Sequence, residues 1–352
     1  MECWFYCILY QDYYFITITM NLKFTTSILV LLIIFAISFS SFVVLLYLRD
    51  FSLGAQPKTG VTFSKSYAEY LGLNWQEAYL ATLDELKVKN IRIVAQWNEV
   101  ESQFKEYNFY DVGWMLDRAY ERNVDVILAI GRRTPRWPEC HDPLWVKELT
   151  PDKARAEQLI MVRDVVNKFK EKTALVMWQV ENEPFLDTFG ECQPISLSFL
   201  KQEIALVKSL DTRPVMITDS GELSWWLKTG TIGDKFGHTL YREVYNKYIG
   251  YFQHVYPPAF YYFKARLAGI KQDDMIVAEL QAEPWVPEGY TLQLDYVKMK
   301  ELMAPEKIES NYAYAKRTGA TEIYFWGVEW WYWMKVKVDD DSLWENAKQF
   351  FE

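Results

Sequence analysis

Two glutamates stand where apolar runs of the sequence end. Trp178-Gln179-Val180-Glu181-Asn182-Glu183-Pro184 closes one run and Ile276-Val277-Ala278-Glu279-Leu280 closes another. Removing a carboxylate from water costs free energy unless it is paired or solvated, and strand ends at the mouth of a barrel are where that cost supports acid–base or nucleophilic chemistry. Glu181 and Glu283 are the nearest competitors: Glu181 precedes the Asn-Glu pair, and Glu283 follows in Gln281-Ala282-Glu283-Pro284-Trp285. Glu279 is preferred because it directly ends its run. Arg92, inside the run Ile91-Arg92-Ile93-Val94-Ala95, reads as a buried arginine that needs a carboxylate partner. Other chemistries lack their residues. There is no Gly-x-Ser-x-Gly elbow and no Gly-x-x-x-x-Gly-Lys loop. With 3 His in 352 residues there is little material for an imidazole-based metal centre, so neither a metal nor a cofactor is expected.

The elements that carry these residues form a rhythm. Short apolar runs centre on Val61, Ile93, Ile127, Val176, Met216, Thr239, Val277 and Tyr324, about 38 residues apart on average, with amphipathic stretches between them. Asn74 followed by Glu77 reads as a capping box, and Tyr79, Leu83 and Leu86 then share one helix face. Thr150-Pro151 reads as an N-cap with proline in the first helical position, continued by the stripe Leu159, Val162, Val166 and Phe169. No Gly-rich phosphate fingerprint follows the first strand, where Gly60-Val61-Thr62-Phe63-Ser64 leads to Lys65. The expectation is an α/β protein, a (β/α)8 TIM barrel over residues 60–352, whose chemistry sits at the carboxyl ends of the strands. Half the residues are hydrophobic, 24% are charged and the net charge is -9, which excludes a disordered tail and a basic nucleic-acid binder.

With the barrel drawn, the Asn182-Glu183-Pro184 end of strand four together with Glu279 at the end of strand seven resembles the retaining glycoside hydrolases of clan A, the cellulase-like and β-galactosidase-like barrels. The similarity covers about residues 60 to 350. Supporting positions are Arg92 in strand two, Trp97 to Glu101 followed by Tyr107-Asn108-Phe109, Pro135-Arg136-Trp137-Pro138 after strand three, Tyr241 at strand six and Trp326 at strand eight. The resemblance implies double displacement on a β-linked oligo- or polysaccharide, with Glu183 as acid/base and Glu279 as nucleophile, their carboxyls about 5 to 5.5 Å apart. It further implies that Arg92 and Tyr241 donate to Glu279, that Asn182 binds the hydroxyl beside the reacting carbon, and that Trp326 is the floor under the sugar ring. Trp97, Arg132 and Trp137 complete the expected substrate contacts. Trp285, Trp330, Trp331 and Trp333 fall near the mouth too, where each either stacks a sugar or fills core. His141 reads as a loop residue. The alternative function is a catalytically silent, membrane-anchored barrel that binds glycan.

Ahead of the barrel, Ile28–Leu48 is a 21-residue stretch without a charge, long enough to span about 30 Å of hydrocarbon. It reads as a transmembrane anchor, with residues 1–27 as an extension, Met20 as the natural start and residues 49–59 as a linker. Ser52-Leu53-Gly54-Ala55 offers a signal-type cleavage site as the competing reading. Lys23 before the span and Arg49, Lys58 and Lys65 after it would by charge alone keep the barrel in the cytoplasm. Long domains translocate largely regardless of charge, and Cys140 and Cys192, in loops after neighbouring strands, are a pairable couple. The expected location is therefore the cell membrane, single-pass, with the barrel outside the cytoplasm.

Overall fold

The computed structural model describes residues 2–192, 195–287 and 296–352, with residues 2–24 described by backbone alone. The chain divides into two compact units, residues 1–49 and 50–352. The first is a single helix, Glu2–Leu48. Its portion Thr25–Leu48 is long and apolar enough to cross a membrane, with a mean hydropathy of 3.0. The side chains around Met20, the expected start, lie outside the described residues.

In the second unit the strands are β1 (Lys58–Thr62), β2 (Asn90–Val94), β3 (Asp125–Ile130), β4 (Leu175–Val180), β5 (Val215–Asp219), β6 (Lys235–Leu240), β7 (Glu243–Asn246), β8 (Gly250–Gln253), β9 (Met275–Gln281) and β10 (Glu322–Trp326). Eight of them close a parallel barrel in the order β1-β10-β9-β6-β5-β4-β3-β2. All eight anticipated runs supply a strand, because strands covered on both faces must be apolar nearly throughout. β1 opens at Lys58, and Phe51 stacks on Tyr262 at 4.1 Å, so the residues leading into β1 already pack on the barrel.

The barrel interior carries an apolar layer of Ile127, Met177, Met216, Ile276, Ala278 and Tyr324. Gly60 makes room for it: a Cβ there would meet the Tyr324 ring at 2.7 Å and the Asn90 carbonyl at 2.6 Å. The same inward direction at neighbouring positions is taken by Arg92, Gln179, Thr218 and Glu279, all buried. Apolar filling thus gives way to polar side chains, and the polar ones are the candidates for chemistry.

The helix Trp75–Asp84 starts as anticipated, with Asn74 Oδ1 accepting from the amides of Gln76 at 3.1 Å and Glu77 at 3.4 Å. Pro151 does open the helix Pro151–Phe169, but Thr150 makes no side-chain cap bond. Leu159 is only half-buried; Val162, Val166 and Phe169 are joined in the core by Met161 and Val165. The antiparallel hairpin β7–β8 was not anticipated. Both its strands are short and half-exposed, so they carry no apolar run. Gln281, at the end of β9, holds the hairpin: its Oε1 accepts from the amides of Arg242 and Glu243 at 3.0 and 2.9 Å, and its Nε2 donates to the Glu243 carbonyl at 2.6 Å.

Candidate active site

Arg92 enters the barrel from β2 and organises its polar layer. Its Nη1 donates to Glu279 Oε1 at 2.9 Å, its Nε to Gln179 Oε1 at 2.7 Å and its Nη2 to Asn182 Oδ1 at 2.9 Å. The guanidinium is fully buried, and burial of that kind is tolerated only with such a set of acceptors. The second oxygen of Glu279, Oε2, accepts from the Tyr241 hydroxyl at 2.9 Å. Burial, then the charges of Glu279, Glu283 and Glu183, hold that phenol well above its usual range, so it remains a donor.

Glu183 has a different environment. It sits just past β4 in a left-handed conformation (φ 44°), its amide donating to Thr218 Oγ1 at 3.0 Å and its Oε1 accepting from Thr239 at 3.1 Å. Burial pushes its carboxyl well above the ordinary carboxylate range, and the charges of Glu279 and Glu139 push the same way, against the opposing pull of Arg133. One of the two expected carboxyls is therefore gripped by a cation and a phenol, while the other is buried among like charges. Such a split suits an acid and a base working together.

Asn182 lies between them. Its Oδ1 also accepts from Thr218 at 3.1 Å and Gln179 at 3.2 Å, and its Nδ2 donates to Glu139 at 3.1 Å. Glu139 was missed. It follows Pro138 in the loop after β3, where nothing in the local sequence distinguishes it from a solvated loop carboxylate. Gln179 and Thr218 did leave a signal, as polar residues inside apolar strands.

Three expected contacts have partners within the protein. Trp97 is fully buried at the start of a short helix, donating to Glu101 at 2.9 Å and packing edge-on against Trp145, so it serves the core. Arg132 pairs with Asp142, donating from Nε at 2.7 Å, and lines a small cavity with Gln158, Glu181 and Phe199 behind the loop; Arg133 is the one facing Glu139, at 3.5 Å. Over the ring of Trp326, expected as an open floor, the Arg136 guanidinium stands at 4.0 Å, with Tyr67 on its other side at 3.7 Å. Arg136 is bound by Glu283 and Glu329, which gives Glu283 a structural partner. Trp137 is 59% exposed and packs edge-on against Phe189, which leads through Trp285 to Tyr241. Trp330, Trp331 and Trp333 fill core.

Glu181 is spent on the backbone: its oxygens accept from the amides of Arg132 at 2.8 Å and Arg133 at 2.7 Å and from Gln158 at 2.8 Å. His141 is a buried loop residue beside Gln96 and the Arg136 carbonyl. Cys140 and Cys192 form a disulfide, their Cα atoms 5.3 Å apart, which ties the loop after β3 to the loop after β4.

Comparison with protein-family models gives no match, and neither does comparison with curated proteins. Solved structures do match. A GH5_18 variant from Bifidobacterium longum in complex with Manb1-4GlcNAc has a TM-score of 0.55 at 12% identity, over 77% of this chain and 68% of that one. GH5_18 from Streptomyces cattleya in complex with GlcNAc scores 0.54 at 11%, over 77% and 70%. Xylanase 10B from Thermotoga maritima scores 0.51 at 14%, over 77% and 82%. The fold shared with these structures is the closed eight-stranded parallel barrel. In a (β/α)8 barrel the mouth formed by the carboxyl ends of the strands is where chemistry is found, and here that mouth holds Glu183, Glu279, Arg92, Asn182, Tyr241 and Glu139.

Proposed function

We propose that this protein is a retaining glycoside hydrolase acting on β-linked oligo- or polysaccharide. The observation that carries the reading is the contrast between the two carboxyls: Glu279 accepts from Arg92 and Tyr241, whereas Glu183 is buried among like charges that push its carboxyl above the ordinary range. In the first step Glu279 attacks the anomeric carbon as Glu183 gives its proton to the departing oxygen, leaving a covalent glycosyl-enzyme. In the second, Glu183 takes a proton from water, the water oxygen bonds to the anomeric carbon, and Glu279 departs, so configuration is retained. Asn182 would hold the hydroxyl beside the reacting carbon, and Trp137 would offer an exposed ring to a further sugar.

The apolar helix and the disulfide support a barrel anchored by residues 28–48 and held outside the cytoplasm, where disulfides persist. One observation favours the silent glycan-binding barrel as a second reading: Arg136 covers a face of Trp326 on which a sugar would stack. A screen of the full-length protein in detergent against aryl β-glycosides and β-linked polysaccharides separates the two. Turnover with product released first as the β-anomer, followed by proton NMR, is the expected result; binding without turnover supports the silent barrel.

A further inference from the structure

Glu139 is a third carboxyl in the mouth, and the chain goes to some length to hold it there. Its backbone adopts a left-handed conformation (φ 72°), costly for a side chain of this type, and its amide donates to the Arg136 carbonyl at 2.7 Å while its carbonyl accepts from Thr134 at 2.8 Å. The next residue is bridged to Cys192, and Gly190 lies so close that a Cβ on it would fall 2.9 Å from Glu139 Cβ. The carboxyl is buried, with Arg133 Nε at 3.5 Å on one side and Asn182 Nδ2 at 3.1 Å on the other. Burial pushes it up to about 8, opposed by Arg133.

Its consequence falls on Asn182. Three donors, Arg92, Thr218 and Gln179, converge on Asn182 Oδ1, so that atom must be the carbonyl oxygen and the amide cannot turn over. The Nδ2 group carries two hydrogens, and Glu139 takes one. For the other, no acceptor stands among the described residues. We propose that Glu139 is a positioning residue which, by accepting one Nδ2 hydrogen of Asn182, keeps the other directed at the substituent on the carbon next to the reacting one. This rests on the glycosidase reading above.

Two matched aryl β-glycosides, one with and one without the hydroxyl on that carbon, test it. With Glu139→Met, which keeps the volume and removes the acceptor, kcat/KM falls about tenfold or more on the hydroxylated substrate and stays within about twofold on the deoxy one. Glu139→Gln, whose amide oxygen can still accept from Asn182, retains most of the discrimination and shows that the loop has folded. Equal losses on both substrates, or none on either, overturn the role of Glu139 while wild-type turnover keeps the glycosidase reading. A wild type that cleaves neither substrate, nor any other β-glycoside, overturns both.

Discussion

Arg92 has no exposed surface, and its guanidinium is satisfied by Glu279, Gln179 and Asn182 together, so removing it strips a donor from three groups at once. Arg92→Met leaves Glu279 buried without its cation. A loss of about 3–5 kcal/mol is expected, read as a shift in the midpoint of denaturant unfolding with the slope unchanged; a shift below about 1 kcal/mol would mean that Glu279 is not paired this way. Tyr241→Phe is milder, removing a single donor to a carboxylate, worth about 1.5–3 kcal/mol, or roughly 10- to 100-fold in kcat. An unchanged kcat in this variant would detach Tyr241 from the nucleophile. That Glu183, Glu279 and Arg92 lie at one end of the barrel was legible in the sequence because each stands within or just past an apolar run. Glu139 was not, since its contact with Asn182 joins positions 43 residues apart through two loops.

Between those residues and the barrel stand the loops, and here the sequence was a poorer guide. It located all eight strands but could not tell which way a side chain turns once a strand has ended. Gly131, at φ 119°, lies where a Cβ would fall 2.4 Å from Glu181 Oε1, and this tight turn sends Arg132 to Asp142 and Arg133 towards Glu139. Trp97 likewise begins a short helix that rolls it into the core. Behind the turn, Glu203 is fully buried, held well above the ordinary carboxylate range by burial and then by the charge of Glu181, while Gln158 donates to its Oε1 at 2.6 Å. Raised in the folded state, its contribution to stability is complete below the unfolded value of about 4.3 and is lost as pH rises towards the folded value. Melting temperature should therefore decline as pH rises above that unfolded value. Glu203→Gln, which stays neutral, should flatten that decline; identical slopes would mean that Glu203 is not the group responsible. Opening the disulfide by Cys140→Ser with Cys192→Ser frees the two loops that carry Glu139 and Glu183. A loss of about 2–4 kcal/mol is expected, with turnover falling more than binding.

At the scale of the molecule, the apolar helix and the barrel make separate claims. Thr25–Leu48 meets the length and hydropathy of a span, while Lys23, Arg49, Lys58 and Lys65 argue for a barrel on the cytoplasmic side and the disulfide argues against it. The first claim predicts that the full chain stays with membranes through alkaline carbonate extraction and is released only by detergent. Recovery in the carbonate supernatant would mean a cleaved or peripheral segment. The second predicts that protease added to intact cells digests the barrel; protection until the membrane is opened would place it inside.

Product stereochemistry in nucleophile rescue bears most directly on the two-carboxylate account. Glu279→Ala cannot form the covalent intermediate, so turnover should vanish on every substrate and return with azide as a glycosyl azide of inverted configuration. Glu183→Ala, given a dinitrophenyl glycoside whose leaving group needs no proton, should still form the intermediate, and azide should then yield the retained product. The two configurations exchanged between the variants would reverse the roles of Glu183 and Glu279, and full activity in both would contradict the account and move the chemistry to other residues.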